Sequence, residues 1–205
     1  MRTMKIKMTL GQAEPLANKI VTALAPGCER IQIAGSVRRQ RPLVGDIEIV
    51  AIPRLIPELP AQLSILGEPP QMVSALDILL GKLVNEKPHF RRGTKNGPLF
   101  KNFLIEFDSD GSEIGLDLFL TTPEQWGYIL ALRTGPGDFN QAWVTQKSKG
   151  GLLPNEYRFN DGWLYKSGQR VPTPTEDDIF SLIGDGATLP PEERDNWRRH
   201  YLQEN

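Results

Sequence analysis

The sequence predicts an α+β fold, and three observations carry that prediction. Apolar residues recur at helical spacing in some segments and alternate with polar ones in others. Turn formers separate these segments: 17 prolines and 19 glycines are spread along the 205 residues rather than gathered in one tract. With 39% hydrophobic and 24% charged residues, the chain can bury a core and has the ordinary charge share of a globular protein.

Taken in order, residues 11–24 read as a helix. Ala13, Leu16, Ala17, Ile20, Val21 and Leu24 share a face, Pro15 sits in the first turn, and Pro26-Gly27 ends it. Ile31 to Ala34 is a short strand that breaks at Gly35-Ser36 into a short helix. Asp46 to Ile52 alternates clearly and reads as a strand. Pro53 to Pro70 is a proline-rich surface connection, Met72 to Val84 an amphipathic helix, and Phe90 to Pro98 a basic, glycine-containing loop. Phe100 to Phe107 and Ile114 to Thr121 are strands joined by a turn at Asp108-Ser109-Asp110-Gly111. Pro123 to Leu132 is helical.

The character changes near Arg133-Thr134-Gly135-Pro136-Gly137, which places a boundary between residues 1–132 and 133–205. Beyond it a helix is expected at about 138–148, then a strand pair around Tyr157-Phe159 and Trp163-Tyr165. A last helix opens at Thr175, where Thr175 and Asp178 have capping-box spacing.

The net charge of −1 does not suggest a strong nonspecific nucleic-acid binder, although arginines cluster locally. Cys28 is the only cysteine, so an intrachain disulfide and a cysteine zinc site are excluded. His89 and His200 form no metal-spaced pair. The amino terminus lacks the apolar run of a signal peptide, and no apolar stretch is long enough to span a bilayer. A cytoplasmic, membrane-free protein is expected. No heptad suggests a coiled coil, and a monomer is expected.

Asp46 and Glu48 are two apart on a strand, so both carboxylates face the same side, while Ile47 and Ile49 face the core. Carboxylates held about 5–7 Å apart repel unless a cation lies between them. Mg²⁺ suits such a pair, since it takes oxygen ligands and shares them with substrate phosphates. Alone, Asp-x-Glu is more often a wet acidic strand face. Asp117 lies opposite Leu116, Leu118 and Leu120 on its own strand, and is either an exposed position or a third metal ligand. A Gly35-Ser36 turn leaves backbone N–H groups for phosphate. Arg38, Arg39 and Arg41 follow, and arginine forks onto phosphate oxygens. Gly45 lets backbone approach closely before Asp46.

Gly35-Ser36-Val37-Arg38-Arg39 followed by Gly45-Asp46-Ile47-Glu48-Ile49 resembles the nucleotidyltransferase superfamily signature. More closely it resembles the family X DNA polymerases, the polymerase-beta type. Leu116-Asp117-Leu118, Arg133 to Asn140, Leu153 to Tyr157, Thr175 to Phe180 and Pro190 to Arg194 extend the likeness in the right order, from about residue 10 to 195.

The resemblance implies a palm, with a mixed sheet and helices on one face, over 1–132, and a small α+β nucleotide-binding subdomain over 133–205. It implies two Mg²⁺ ions, with Mn²⁺ open as a substitute. Asp46 and Glu48 would bind both and Asp117 the one beside the primer hydroxyl. Gly35, Ser36, Arg39 and Gly45 would hold the triphosphate, Asn140 would approach the base, and Lys95 and Lys101 would touch the nucleic-acid backbone. The implied partners are a nucleoside triphosphate and a DNA primer or primer-template, with RNA open.

Three departures stand out. Glu48 replaces the usual Asp. Leu132 and Arg133 replace an aromatic pair near the sugar, and Gly137 replaces an acid near the base. The family's amino-terminal helix-hairpin-helix lyase module is not expected here. Template-independent transfer to RNA, DNA or a protein hydroxyl, and an inactive nucleic-acid-binding module, are the alternatives.

Overall fold

The computed structural model describes residues 7–58, 70–108, 111–184 and 188–202. The fold is mixed α+β. Strand β1 (Met8–Thr9) leads into helix α1 (Leu10–Leu24), followed by β2 (Cys28–Ile33), α2 (Gly35–Arg38), β3 (Leu43–Val44) and β4 (Asp46–Pro53). Next come β5 (Leu55–Pro57), β6 (Met72–Ser74), α3 (Ala75–Glu86), β7 (Phe90–Asn96), β8 (Phe100–Glu106) and β9 (Glu113–Leu120). Helices α4 (Trp126–Thr134) and α5 (Gly137–Val144) precede β10 (Tyr157–Asn160), β11 (Trp163–Lys166) and β12 (Gln169–Val171). Helices α6 (Asp177–Ile183) and α7 (Arg198–Tyr201) follow.

The main sheet has the order β2-β4-β9-β8-β7. Strands β4 and β9 are parallel, and the other neighbours are antiparallel. Alternation sorts its side chains cleanly. Ile47, Ile49, Leu116, Leu118, Phe103 and Ile105 face one way and pack against α1 and α3. Val50, Ile52 and Phe119 face the other way and meet Trp126 and Leu130 of α4. A helix therefore covers part of the second face as well, beyond the expected arrangement of helices on one face.

Helix α4 joins two cores. Trp126 and Leu130 close the sheet cluster, while Tyr128 and Ala131 belong to a second cluster with Phe139, Trp143, Phe180 and Trp197. Tyr128 stacks on Phe159 at 4.5 Å between ring centroids, which ties α4 to the small sheet β10-β11-β12. Such pairs add to area burial.

Several local expectations differ from the structure. Phe90 to Asn96 is a strand, not a loop. It lies on the sheet edge, so only Phe90 need be buried and no alternation marks it. Met72–Ser74 pairs with Leu55–Pro57, and the helix starts three residues later, where Ser74 caps it by accepting from Asp77 N–H at 3.1 Å. Helix α5 stops at Val144, and a 3₁₀ turn, Lys147–Lys149, takes the rest. Helix α6 begins at Asp177, with Thr175 N–H and hydroxyl both bonded to Asp178 at 2.7 Å. Strand β12 was not expected. Ser109 and Asp110 of the expected turn, and most of the proline-rich connection, lie outside the described residues.

Candidate active site

Strand pairing assembles the carboxylates. In the parallel β4–β9 ladder, Asp46 is opposite Gly115 and Glu48 is opposite Asp117. On the far side of β9, Asp117 is opposite Asn102 of β8. Glu48, Asp117 and Asn102 thus form one row across three strands. Along β4 the same face reads Asp46, Glu48, Val50, Ile52, and along β9 it reads Gly115, Asp117, Phe119. The charged half lies at the strand starts and the apolar half lies under α4.

Glu48 bears the electrostatic cost of this clustering. Burial and then the charge of Asp46 push its carboxyl up to about 7. Arg133 and Arg39 oppose that rise and Asp117 adds to it. Gly35 has φ +61° and lies directly against the Glu48 carboxylate, with Cδ only 2.8 Å from where a Cβ would stand. Glycine is favoured there on both counts, since a side chain would strain the backbone and displace the Glu48 carboxylate. Ala34 N–H donates to Glu48 C=O at 2.8 Å and fixes this approach.

The residues implied for phosphate divide into two groups. The Ser36 hydroxyl is buried without a hydrogen-bond partner among the described residues. A buried hydroxyl costs free energy unless something bonds it. Arg39 donates to Thr134 C=O at 2.5 Å and reaches Asp195 at 3.4 Å, yet stays within electrostatic reach of Glu48. Arg38 is committed elsewhere: its guanidinium forks onto Glu176 at 2.9 and 2.6 Å and also bonds the Thr134 hydroxyl at 2.8 Å. Arg41 is exposed and paired with Asp195 at 3.3 Å. A Cβ on Gly45 would meet nothing within 4 Å, so open space adjoins Asp46.

The resemblance placed Arg133 near the sugar, but sequence reasoning gave it no part beside the carboxylates. Its guanidinium lies 3.9 Å from the Phe119 ring centroid, in electrostatic reach of Glu48 and Asp117. Its Nε is buried without a hydrogen-bond partner. The available signal was an arginine ending an otherwise apolar helix. The Glu176–Arg194 pair, 2.9 Å apart with Arg194 fully buried, was also missed, because Thr175 to Asp178 read as a capping motif only.

A cleft of about 500 Å³ opens beside Asp117, walled by Lys95, Phe100, Tyr128, Arg133 and Gly162. Lys95 lies 5.6 Å from the Phe100 ring, at its mouth. Lys101 is not brought to this face. It shares the parity of Phe103 and Ile105, is 7% exposed, and pairs with Asp77 of α3 at 3.1 Å. Asn140 is likewise bound within the protein. Its amide donates to Leu132 and Gly135 carbonyls at 2.6 and 3.0 Å and accepts from Trp143 Nε1 at 3.1 Å.

Among the described residues, no three acidic, thiol or imidazole groups close around one point as a ready metal cage. Two carboxylates on one strand and a third on its neighbour instead fit hard cations shared with phosphate oxygens. The raised Glu48 carboxyl and the unbonded Ser36 and Arg133 donors agree with a site that takes a cation and an anion together. Among the described residues, no helix is long and apolar enough to cross a membrane. No protein-family model matches this chain, and no curated protein matches it.

Proposed function

We propose that this protein is a Mg²⁺-dependent nucleotidyltransferase of the family X DNA polymerase type, with a palm carrying the carboxylates and a carboxy-terminal nucleotide-binding subdomain. The observation that carries the reading is the register pairing of Glu48 with Asp117, with Asp46 on the same face. The reaction is attack of a terminal 3′-hydroxyl on the α-phosphate of a nucleoside triphosphate. One new P–O bond forms, the α–β bridging bond breaks, the hydroxyl proton leaves to solvent or base, and pyrophosphate departs.

Asp46, Glu48 and Asp117 are the residues that would hold Mg²⁺, which when bound supplies charge neutralisation at the phosphate and the attacking oxygen. Ser36, whose hydroxyl has no partner among the described residues, and Arg39 and Arg133, both within electrostatic reach of Glu48, orient the triphosphate oxygens. Gly35 keeps Glu48 in place by leaving no side chain between them. The cleft beside Asp117 receives the sugar, base and primer end. The protein's contribution is mainly positioning and electrostatics.

The test is incorporation on gapped, nicked, recessed and single-stranded primers, with deoxy- and ribonucleotides, in Mg²⁺ and in Mn²⁺. Template-directed extension that stops on chelation of the metal is expected. Extension that ignores template sequence would move the protein to template-independent transfer. No transfer on any primer would leave a binding module.

A further inference from the structure

The small sheet β10-β11-β12 has two unlike faces. One carries Phe159 against the second core and buries Leu164. The other carries Arg158, Asn160, Trp163, Tyr165 and Arg170 outward, by strand alternation. On that outer face Arg158, Tyr165 and Arg170 are register partners across all three strands. Arg158 lies 5.6 Å from the Tyr165 ring centroid and Arg170 lies 4.6 Å from that of Trp163. Arg170 Nε also donates to the Tyr165 hydroxyl at 3.4 Å.

Two guanidinium planes and two aromatic rings therefore stand side by side on a solvent-facing sheet. Between Lys147 and Arg170 the chain has five cationic side chains and only two carboxylates, although the whole chain has net charge −1. The hairpin turn at one end, Asp161-Gly162, lines the cleft beside Asp117. At the other end Arg158 and Ser167 line a separate groove of about 250 Å³. The face is thus a charged, aromatic strip running from a groove to the mouth of the candidate active site.

We propose that the outer face of β10-β11-β12 is a stacking platform for single-stranded nucleic acid leading to the Asp117 cleft. Bases stack on Trp163 and Tyr165 and on the guanidinium planes, while Arg158 and Arg170 neutralise phosphates. Stacking needs no particular base, because every base has a π-face. The path into the cleft rests on the proposed transferase function; binding to the face does not. An acidic protein partner would meet the same charges but would leave the exposed ring edges without planar groups to stack on.

The experiment uses the full chain with labelled oligothymidylate, the matching oligouridylate and a blunt DNA duplex, by fluorescence anisotropy at several salt concentrations. Single strands are expected to bind more tightly than duplex. Arg158→Ala/Arg170→Ala should bind about tenfold more weakly, and its log K against log salt slope should flatten by about 1.4, for two phosphate contacts on a single strand. Trp126, Trp143 and Trp197 are buried, so oligonucleotide quenching of tryptophan emission should come from Trp163 and vanish in Trp163→Phe. Tighter binding of one sugar type assigns the strand to DNA or to RNA, and both support the platform. Single-strand affinity and salt slope unchanged in the double variant, with its melting temperature preserved, would overturn it. So would self-association that the variant abolishes while no oligonucleotide binds. Asp117→Asn should keep full oligonucleotide binding, so loss of transfer and loss of the platform are read separately.

Discussion

Glu48 and Asp117 are register partners on adjacent parallel strands, with their carboxylates on the one face of the sheet that α4 leaves half uncovered. Each follows from alternation within its own strand; their meeting follows from the sheet.

If the proposed function holds, Asp117→Asn is expected to lower nucleotide transfer by at least about 10³-fold, since losing a metal carboxylate would remove several kcal/mol of transition-state stabilisation. Its melting temperature should stay within a few degrees of wild type, because the position is not part of the core clusters. Single-turnover incorporation and a thermal melt check both. Wild-type rates would remove Asp117 from the mechanism.

Gly35→Ala should lose more activity than stability. The left-handed backbone at φ +61° costs a side chain about 1–2 kcal/mol, and the added Cβ must displace the Glu48 carboxylate. A higher Mg²⁺ concentration for half-maximal transfer, alongside a melting shift of only a few degrees, is the expected pair of results. An unchanged Mg²⁺ dependence would separate Gly35 from the carboxylate row.

Glu176 links the two cores through Arg38 and Arg194. Burial raises its carboxyl, but the Arg38 hydrogen bonds and the Arg194 charge outweigh that and hold it below its ordinary value of 4.5. A depressed carboxylate stabilises the fold above its unfolded pKa and loses that contribution as pH falls through the folded value. Glu176→Gln should therefore cost about 3 kcal/mol at pH 7, since it strands a buried arginine. The gap to wild type should narrow as pH falls below 4.5 and on through the depressed folded value. Denaturant melts of both proteins at neutral pH and across that acid range measure it.

Lys95 and Lys101 should separate cleanly. Lys95→Ala, at the cleft mouth, should weaken primer binding without changing stability. Lys101→Ala should leave primer binding unchanged and cost about 1 kcal/mol or more, because a buried stem and its pairing with Asp77 are lost. Anisotropy and thermal melts on the two variants give the comparison.

Cys28 is buried, and burial pushes its thiol up to about 11 against the opposing charge of Arg54. Its Sγ donates to Leu24 C=O at 3.4 Å. Native protein at pH 8 should resist a thiol reagent on the timescale of minutes and react at once in denaturant, because only the thiolate is nucleophilic.

Much of the site was legible from period-2 alternation. Asp46 and Glu48 share a face because strand residues two apart must, and Asp117 opposes three leucines for the same reason. Gly35 was legible as a turn residue, and the structure adds a second need, the Glu48 carboxylate beside it. Lys101 shows where that rule and an implied role part: the resemblance made it a nucleic-acid contact, but its parity on the expected Phe100 to Phe107 strand matches Phe103 and Ile105, and it is buried. Strand β7 escaped because an edge strand buries little and need not alternate.

The sequence by itself determined which side chains share a face, since that depends only on local backbone geometry. Which strands become neighbours, and in which register, was decided by the tertiary structure. Nothing local to Asp46 or Asp117 specifies that β4 runs parallel to β9, because that pairing is selected by burying both faces of the sheet at once. The same long-range packing commits Arg38 to Glu176 and brings Arg133 to the carboxylates. An arginine's partner is set by what the folded chain places within reach of it.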